Sequence, residues 1–125
     1  EKIRYLMGVG RPKDIIESVY RGIDIFDCVI PTREGRHGNA YVGTDTINIR
    51  NSKFENDSSP LDAESDFFVS KNYSKGYLHH LLKINDPLGP MFISLHNLSY
   101  YFNLMEDIRK NIMLGTFSDL RERFK

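Results

Sequence analysis

The feature that most constrains the chain is a pattern in its first 31 residues: a strand-like run, a helix, and a second, mostly apolar run. Ile3-Arg4-Tyr5-Leu6-Met7 reads as a strand ended by Gly8-Val9-Gly10. Pro12 suits the first turn of a helix, where its missing N–H costs nothing, and Asp14 suits the positive helix start. Ile15, Ile16, Val19 and Tyr20 give that helix an apolar face, and Gly22 stops it. Ile23-Asp24-Ile25-Phe26-Asp27-Cys28-Val29-Ile30 follows, closed by Pro31. A short apolar run after a helix predicts a strand buried on both faces of a parallel sheet. A lone βαβ unit leaves two open strand edges and cannot cover both sheet faces. A small self-contained α+β domain is the plainer reading. A piece of a larger α/β fold explains more, including a chain that opens inside a strand-like run.

Beyond this unit the character changes. Thr32–Arg36 reads as part of a loop, with Arg33, Arg36, His37 and Arg50 set among Gly35, Gly38 and Gly43. Strands are expected at about Asn39–Val42 and Thr46–Arg50, turning at Gly43-Thr44-Asp45. Residues 51–63 are polar and turn-rich. A helix is expected over about Ser74–Lys83, with Tyr77, Leu78, Leu81 and Leu82 on one side, broken by Asn85–Pro90. After His96, the positions Leu98, Tyr101, Phe102, Met105, Ile108 and Ile112 recur at helical spacing until Gly115. A final amphipathic segment is expected over Phe117–Phe124, its helix starting at a Ser118 cap.

Composition narrows the function classes. Forty per cent hydrophobic and 12% aromatic residues suffice for a packed core. Seventeen basic residues balance 17 acidic ones, which counts against strong non-specific nucleic-acid binding but not against a local basic patch. The single cysteine, Cys28, excludes an intrachain disulfide and a cysteine-rich zinc site. No apolar run approaches the roughly 18 residues of a membrane span. With no signal peptide at the start, a cytoplasmic setting is expected and the Asn-x-Ser triplets at Asn56, Asn72 and Asn97 are chance matches.

Two motifs carry a resemblance. The first is Tyr5-Leu6-Met7-Gly8-Val9-Gly10 followed by Pro12. The second is Gly22-Ile23-Asp24-Ile25-Phe26-Asp27-Cys28-Val29-Ile30-Pro31-Thr32-Arg33 followed by Gly35-Arg36-His37-Gly38. Collinear support runs through Ile49-Arg50-Asn51, Pro60-Leu61-Asp62, Asn72-Tyr73, Tyr77-Leu78-His79-His80-Leu81 and Leu95-His96-Asn97-Leu98. Together they resemble the C-terminal portion of the tRNA-guanine transglycosylase family, of bacterial type. The resemblance implies a TIM (β/α)8 barrel, which needs roughly 250 residues. This chain would hold its last two strands, a small inserted subdomain that binds zinc in the family, and the closing helix. Residues 1–36 would be the barrel βαβ unit with its tRNA-contacting loop, 37–95 the insertion, and 96–125 the closing and C-terminal helices.

The same resemblance implies the chemistry. Family enzymes exchange guanine at the tRNA wobble position for queuine or a queuine precursor through a covalent ribosyl-enzyme intermediate. Asp27 matches the nucleophile, near the strand end where barrel active sites lie. Without the motif, a hydrogen-bonded strand-end carboxylate would be the plainer reading. Tyr5, Met7 and Gly8 match positions lining the base pocket. Gly8, Val9, Gly10, Arg11, Pro12, Lys13 and Asp14, with Thr32, Arg33, Glu34, Gly35 and Arg36, match stretches contacting the tRNA anticodon loop. Arg33 and Arg36 are the expected phosphate or base contacts. Asp24 is expected to be structural, and Cys28 a small buried residue facing away from Asp27.

The chain departs from the family at the metal. Ser65, Phe67 and Ser70 stand where three cysteines hold the family's zinc, and only His96 of the four ligands remains. Serine is a poor zinc ligand beside a thiolate and phenylalanine is none, so no cofactor is expected. Phe67 and Phe68 could replace the metal with an apolar plug, while His96 packs or caps the last helix. The general acid/base carboxylate of the family also belongs to strands outside this chain, so residues 1–125 alone are expected to be inactive. A homodimer is expected only of the full-length protein. The rival reading is a non-catalytic or degenerate copy that binds tRNA or dimerises.

Overall fold

The computed structural model describes residues 2–125 as a mixed α/β chain in two compact units. One comprises Glu1–Ile30 and Tyr101–Lys125, the other Pro31–Tyr100.

In the first unit, β1 (Tyr5–Met7) and β2 (Ile25–Asp27) pair in parallel, joined by α1 (Pro12–Tyr20). Pro12 occupies the first helical turn as expected, and Gly22 leaves the helix at φ +95°. The strands are shorter than the apolar runs imply, and β2 is covered on one side only. Tyr5, Met7 and Ile25 are exposed while Leu6 and Phe26 are half-buried. A buried parallel strand needs helices on both faces, and the described residues leave one face open. Pro12, Ile15, Ile16, Leu104, Ile108 and Leu120 are buried in this unit.

Pro31 does not close a strand; it lies in the first turn of α2 (Ile30–Arg36). This corrects the loop expected over Thr32–Arg36. The preset φ of proline and its missing N–H suit a helix start as well as a strand stop. Gly35 is buried in α2, where a Cβ would come within 2.4 Å of Ser94 Oγ and 2.7 Å of Ser94 Cα.

The second unit continues with the hairpin β3 (Asn39–Val42) and β4 (Asp45–Asn48), turning at Gly43-Thr44 with Gly43 at φ +61°. Asp45, expected in the turn, pairs with Val42 instead. A 3-10 turn at Ser52–Phe54 and a short helix α3 (Phe68–Asn72) lie in the region read as irregular or unassigned. Helix α4 (Lys75–Lys83) is capped by Ser74, whose Oγ accepts from Tyr77 N at 3.0 Å. Ala40, Ile49, Phe54, Leu61, Leu78, Leu81, Leu82 and Ile93 form its core.

Helix α5 (Leu88–Leu114) starts eight residues before His96 and runs through both units. Asn85 turns the chain at φ 57°, and Asp86 Oδ1 accepts from Leu88 N at 2.9 Å. Pro90 therefore sits in the first turn, where no intrahelical donor is lost. The apolar period was legible, but Leu98, Phe102 and Ile112 are exposed, whereas Ile93, Leu104 and Ile108 are buried. Gly115, at φ +72°, ends α5 as expected. Helix α6 (Phe117–Arg123) occupies the expected segment, but Thr116 rather than Ser118 stands at its N-terminus, with no capping side-chain hydrogen bond.

Candidate active site

The parallel register pairs Tyr5 with Ile25 and Met7 with Asp27. Side chains alternate along a strand, so these four share the open face of the two-stranded sheet. Asp27 ends β2 there, an exposed carboxylate at the C-terminal end of its strand. Its Oδ1 accepts from the Tyr5 hydroxyl at 2.8 Å and from Gly8 N at 3.2 Å. Gly8 N also donates to the Asp27 carbonyl at 2.9 Å. Gly8 can turn its amide this way because it sits at φ +75°, a region that side chains disfavour. The hydrogen bond to Asp27 holds the Tyr5 phenol above its ordinary pKa, with desolvation and the carboxylate charge adding to the effect.

Asp24 lies on this strand run but serves the backbone: its Oδ2 accepts from Arg4 N at 2.8 Å. Cys28 is half-buried rather than buried. Its sulfur occupies the space that a Cβ on Gly10 would need, 1.7 Å from that position. The Gly10 carbonyl accepts from the Tyr101 hydroxyl at 2.6 Å, which fastens the turn after β1 to α5. A cavity of about 300 Å³ beside Asp27 is bounded by Val9, Phe26, Cys28, Tyr101 and Met105.

Of the candidate tRNA-contacting residues in the first unit, Gly8, Arg11, Lys13 and Asp14 are exposed, Val9 is half-buried, and Gly10 and Pro12 are buried. In the second unit, α2 places Arg33 and Arg36 three residues apart on one exposed helical face. Neither pairs with a carboxylate among the described residues. Thr32 and Glu34 are half-buried, and Glu34 Oε2 accepts from Asn39 Nδ2 at 2.6 Å.

The family model for queuine tRNA-ribosyltransferase matches residues 1–125. A queuine tRNA-ribosyltransferase of Francisella tularensis subsp. tularensis (strain WY96-3418) is 51% identical over 124 residues, covering 99% of this chain and 34% of that relative. Its counterpart in F. tularensis subsp. novicida (strain U112) is 50% identical over the same share of both chains. The chain belongs to this family. It spans about a third of the length of the curated relatives it matches.

Ser70 and His96, two of the positions expected to match family zinc ligands, meet inside the second unit. His96 is 1% exposed and Ser70 fully buried. His96 Nδ1 lies 2.6 Å from Ser70 Oγ, and its Nε2 lies 2.7 Å from the Tyr41 carbonyl. A carbonyl can only accept, so Nε2 carries the proton and Nδ1 accepts from the serine hydroxyl. Both ring nitrogens are thus engaged, and neither offers a lone pair to a metal. Ser65 Oγ accepts from Phe67 N at 3.2 Å. These residues do not fit a tetrahedral zinc site. The plug expected from Phe67 and Phe68 is not formed as a pair: Phe67 is half-buried, but Phe68 is 63% exposed. Ser70 takes the inward position instead. His96 caps nothing, since α5 begins at Leu88.

Asn97 was present in the Leu95-His96-Asn97-Leu98 motif without an assigned role. It is fully buried, accepts from Tyr41 N at 3.0 Å, and donates to the carbonyls of Pro31 and Asn39, each at 2.9 Å. The signal available in the sequence is a polar pair, His96-Asn97, set between Leu95 and Leu98.

Proposed function

We propose that this chain is the C-terminal part of a tRNA-guanine transglycosylase, a pentosyltransferase of queuosine biosynthesis, with Asp27 as nucleophile. The observation that carries the reading is Asp27 at the end of β2, on an open face, with Oδ1 held and Oδ2 receiving no hydrogen bond among the described residues. Residues 1–36 supply the last two strands of a TIM (β/α)8 barrel and a tRNA-contacting segment. Residues 37–95 form the insertion, and 96–125 the closing and C-terminal helices. The open sheet face suits a barrel whose other strands lie in the remaining length of its relatives.

In the first displacement a carboxylate lone pair of Asp27 forms a bond to the ribose anomeric carbon. The glycosidic bond breaks with its electron pair to guanine, which leaves neutral after protonation by a carboxylic acid from an earlier barrel strand. In the second, a nitrogen of the incoming queuine precursor attacks the same carbon, loses its proton to the conjugate carboxylate, and frees Asp27. The logic is that of retaining glycosidases. Tyr5, Met7 and Gly8 face the reacting base, and exposed Arg33 and Arg36 contact the tRNA anticodon loop, with Arg11 and Lys13 assisting. The partners are tRNA and the two bases, with a homodimer possible in the full-length protein. The setting is cytoplasmic; among the described residues no helix is long and apolar enough to cross a membrane.

The insertion holds no zinc on this reading, because Ser65, Ser70 and His96 are committed to hydrogen bonds and Phe67 offers no ligand atom. The same loss favours a second reading, a degenerate copy that binds tRNA without turnover. One experiment separates them. The intact protein carrying this chain is incubated with tRNA and run on a denaturing gel. A covalent RNA adduct that Asp27→Asn abolishes supports the enzyme. Exchange of labelled guanine with no dependence on Asp27 would sink the nucleophile assignment, and absence of both adduct and exchange would favour the degenerate copy. Residues 1–125 alone are expected to give no exchange.

A further inference from the structure

We infer that Tyr5 is a positioning residue for Asp27, selecting which carboxylate oxygen attacks. The inference rests on the reading of Asp27 as nucleophile, but it adds a role that the base-pocket assignment of Tyr5 does not contain. The Tyr5 hydroxyl and the Gly8 amide converge on a single oxygen, Oδ1, at 2.8 and 3.2 Å. Oδ2 receives no hydrogen bond among the described residues.

The geometry follows from the register. Tyr5 lies opposite Ile25 and Met7 opposite Asp27, so Tyr5 reaches diagonally across one residue step on the same face. The long phenol spans that diagonal, which phenylalanine would also span but without a donor. Gly8 supplies the second donor from the residue after β1. Tyr5 is 55% exposed, so its ring is not held by burial in a core. What fixes the hydroxyl is the bond to the carboxylate.

Two donors on one oxygen lower the nucleophilicity of that oxygen and fix the carboxylate plane. The unbonded Oδ2 then keeps its lone pairs for the anomeric carbon. In the covalent intermediate Oδ2 becomes the ester oxygen and Oδ1 the carbonyl oxygen. The two donors then act on an ester carbonyl, as preorganised groups aimed at an acyl oxygen do elsewhere. When the second base attacks, the electron pair returns from the C–Oδ2 bond to the carboxylate, and the same donors receive the restored charge on Oδ1. Tyr5 donates without giving up its proton in either step.

The test compares Tyr5→Phe and Asp27→Asn in the intact protein, using steady-state guanine exchange, thermal midpoint, and titration of the Tyr5 phenol by carbon-13 NMR. Tyr5→Phe is expected to lower kcat about ten- to a hundredfold, the loss of one charge-assisted hydrogen bond, with KM for tRNA within about twofold. Its thermal midpoint should be unchanged. Asp27→Asn should bring the Tyr5 phenol down toward its ordinary pKa, a readout that needs no turnover. If Asp27→Asn abolishes exchange while Tyr5→Phe keeps full kcat, the positioning role is overturned and the nucleophile stands. If Asp27→Asn retains exchange, both fall. A Tyr5 titration indifferent to Asp27→Asn also overturns the inference, whatever the kinetics.

Discussion

Ser70 Oγ donates to His96 Nδ1 across 2.6 Å, joining two positions where the sequence resemblance implies zinc ligands in the family. The histidine spans from that serine to the Tyr41 carbonyl and thereby ties α3, β3 and α5 together within one unit. A serine hydroxyl carries none of the charge with which a thiolate holds zinc, and here it bonds the histidine directly.

Metal removal is therefore expected to leave the fold alone. Dialysis against a chelator should not change the thermal midpoint, and elemental analysis should find well under one zinc per chain. Stoichiometric zinc that lowers the midpoint when stripped would contradict the brace. His96→Ala should cost about 2–4 kcal/mol, because it leaves a buried cavity and two buried polar groups without their partner.

The pH dependence has a definite sign. Burial pulls the His96 imidazole below its ordinary pKa, with the Tyr41 carbonyl and the Asp62 charge partly opposing. The unfolded chain then binds the proton more readily, so this group's stability is fully present above about pH 6.5 and falls as the pH drops through the folded value. Denaturant midpoints measured between pH 8 and 5 should decline in the parent, and the slope should flatten in His96→Gln. An unchanged slope would remove His96 as the source.

Asn97 gives a sharper stability prediction. Its amide serves one amide N–H and two carbonyls, all on β3 or the start of α2. Asn97→Ala should destabilise the second unit by on the order of 3 kcal/mol, since buried polar groups lose their only described side-chain partner. Asn97→Asp should be no milder: the carboxylate keeps an acceptor for Tyr41 N but turns a negative oxygen toward two carbonyls. Urea unfolding of both variants checks this, and a cost within about 0.5 kcal/mol of zero would show that the amide is dispensable.

These residues also mark how far sequence reasoning reached. The βαβ order, the α1 start at Pro12, the hairpin and the Gly115 stop were legible, because glycine and proline act through local backbone physics. The strand-to-helix switch at Ile30-Pro31 was not, since proline fits both a strand end and a helix start. The start of α5 was hidden by Pro87 and Pro90, which read as breakers until Asp86 is seen capping the first turn. Asp27 could be picked out, but its link to Tyr5 depends on strand register, which no local pattern encodes. The Ser70–His96 bond likewise joins residues 26 apart through tertiary packing.

Arg121 should act as the clasp of α6. Its guanidinium lies 3.8 Å from the centre of the Tyr20 ring, and its Nε and Nη2 bond both carboxylate oxygens of Glu17. Arg121→Lys keeps the charge but loses the planar fork, and should loosen α6 nearly as much as Arg121→Ala. Hydrogen exchange at the Leu120 and Arg121 amides is the measurement. Glu17 is held below its ordinary pKa, first by the Arg121 hydrogen bond, so this clasp is present above the usual carboxylate range and lost as pH falls through the lowered value. Protection that ignores both the substitution and acid would show that Leu120 burial alone seats the helix.

Gly10→Ala should impair the site without touching it. The added methyl would lie 1.7 Å from Cys28 Sγ and 2.7 Å from Cys28 Cβ, too close for any rotamer of the cysteine alone to relieve. Gly10 is also held by Tyr101, so the strain has to pass to Cys28 and the end of β2, one residue beyond Asp27. Overpacking of this kind costs about 1–3 kcal/mol. Gly10→Ala is expected to reduce guanine exchange by the intact protein, and adding Cys28→Gly should recover most of the lost stability and activity by clearing the space. If the double variant is no better than Gly10→Ala, the contact with Cys28 is not what sets the position of Asp27.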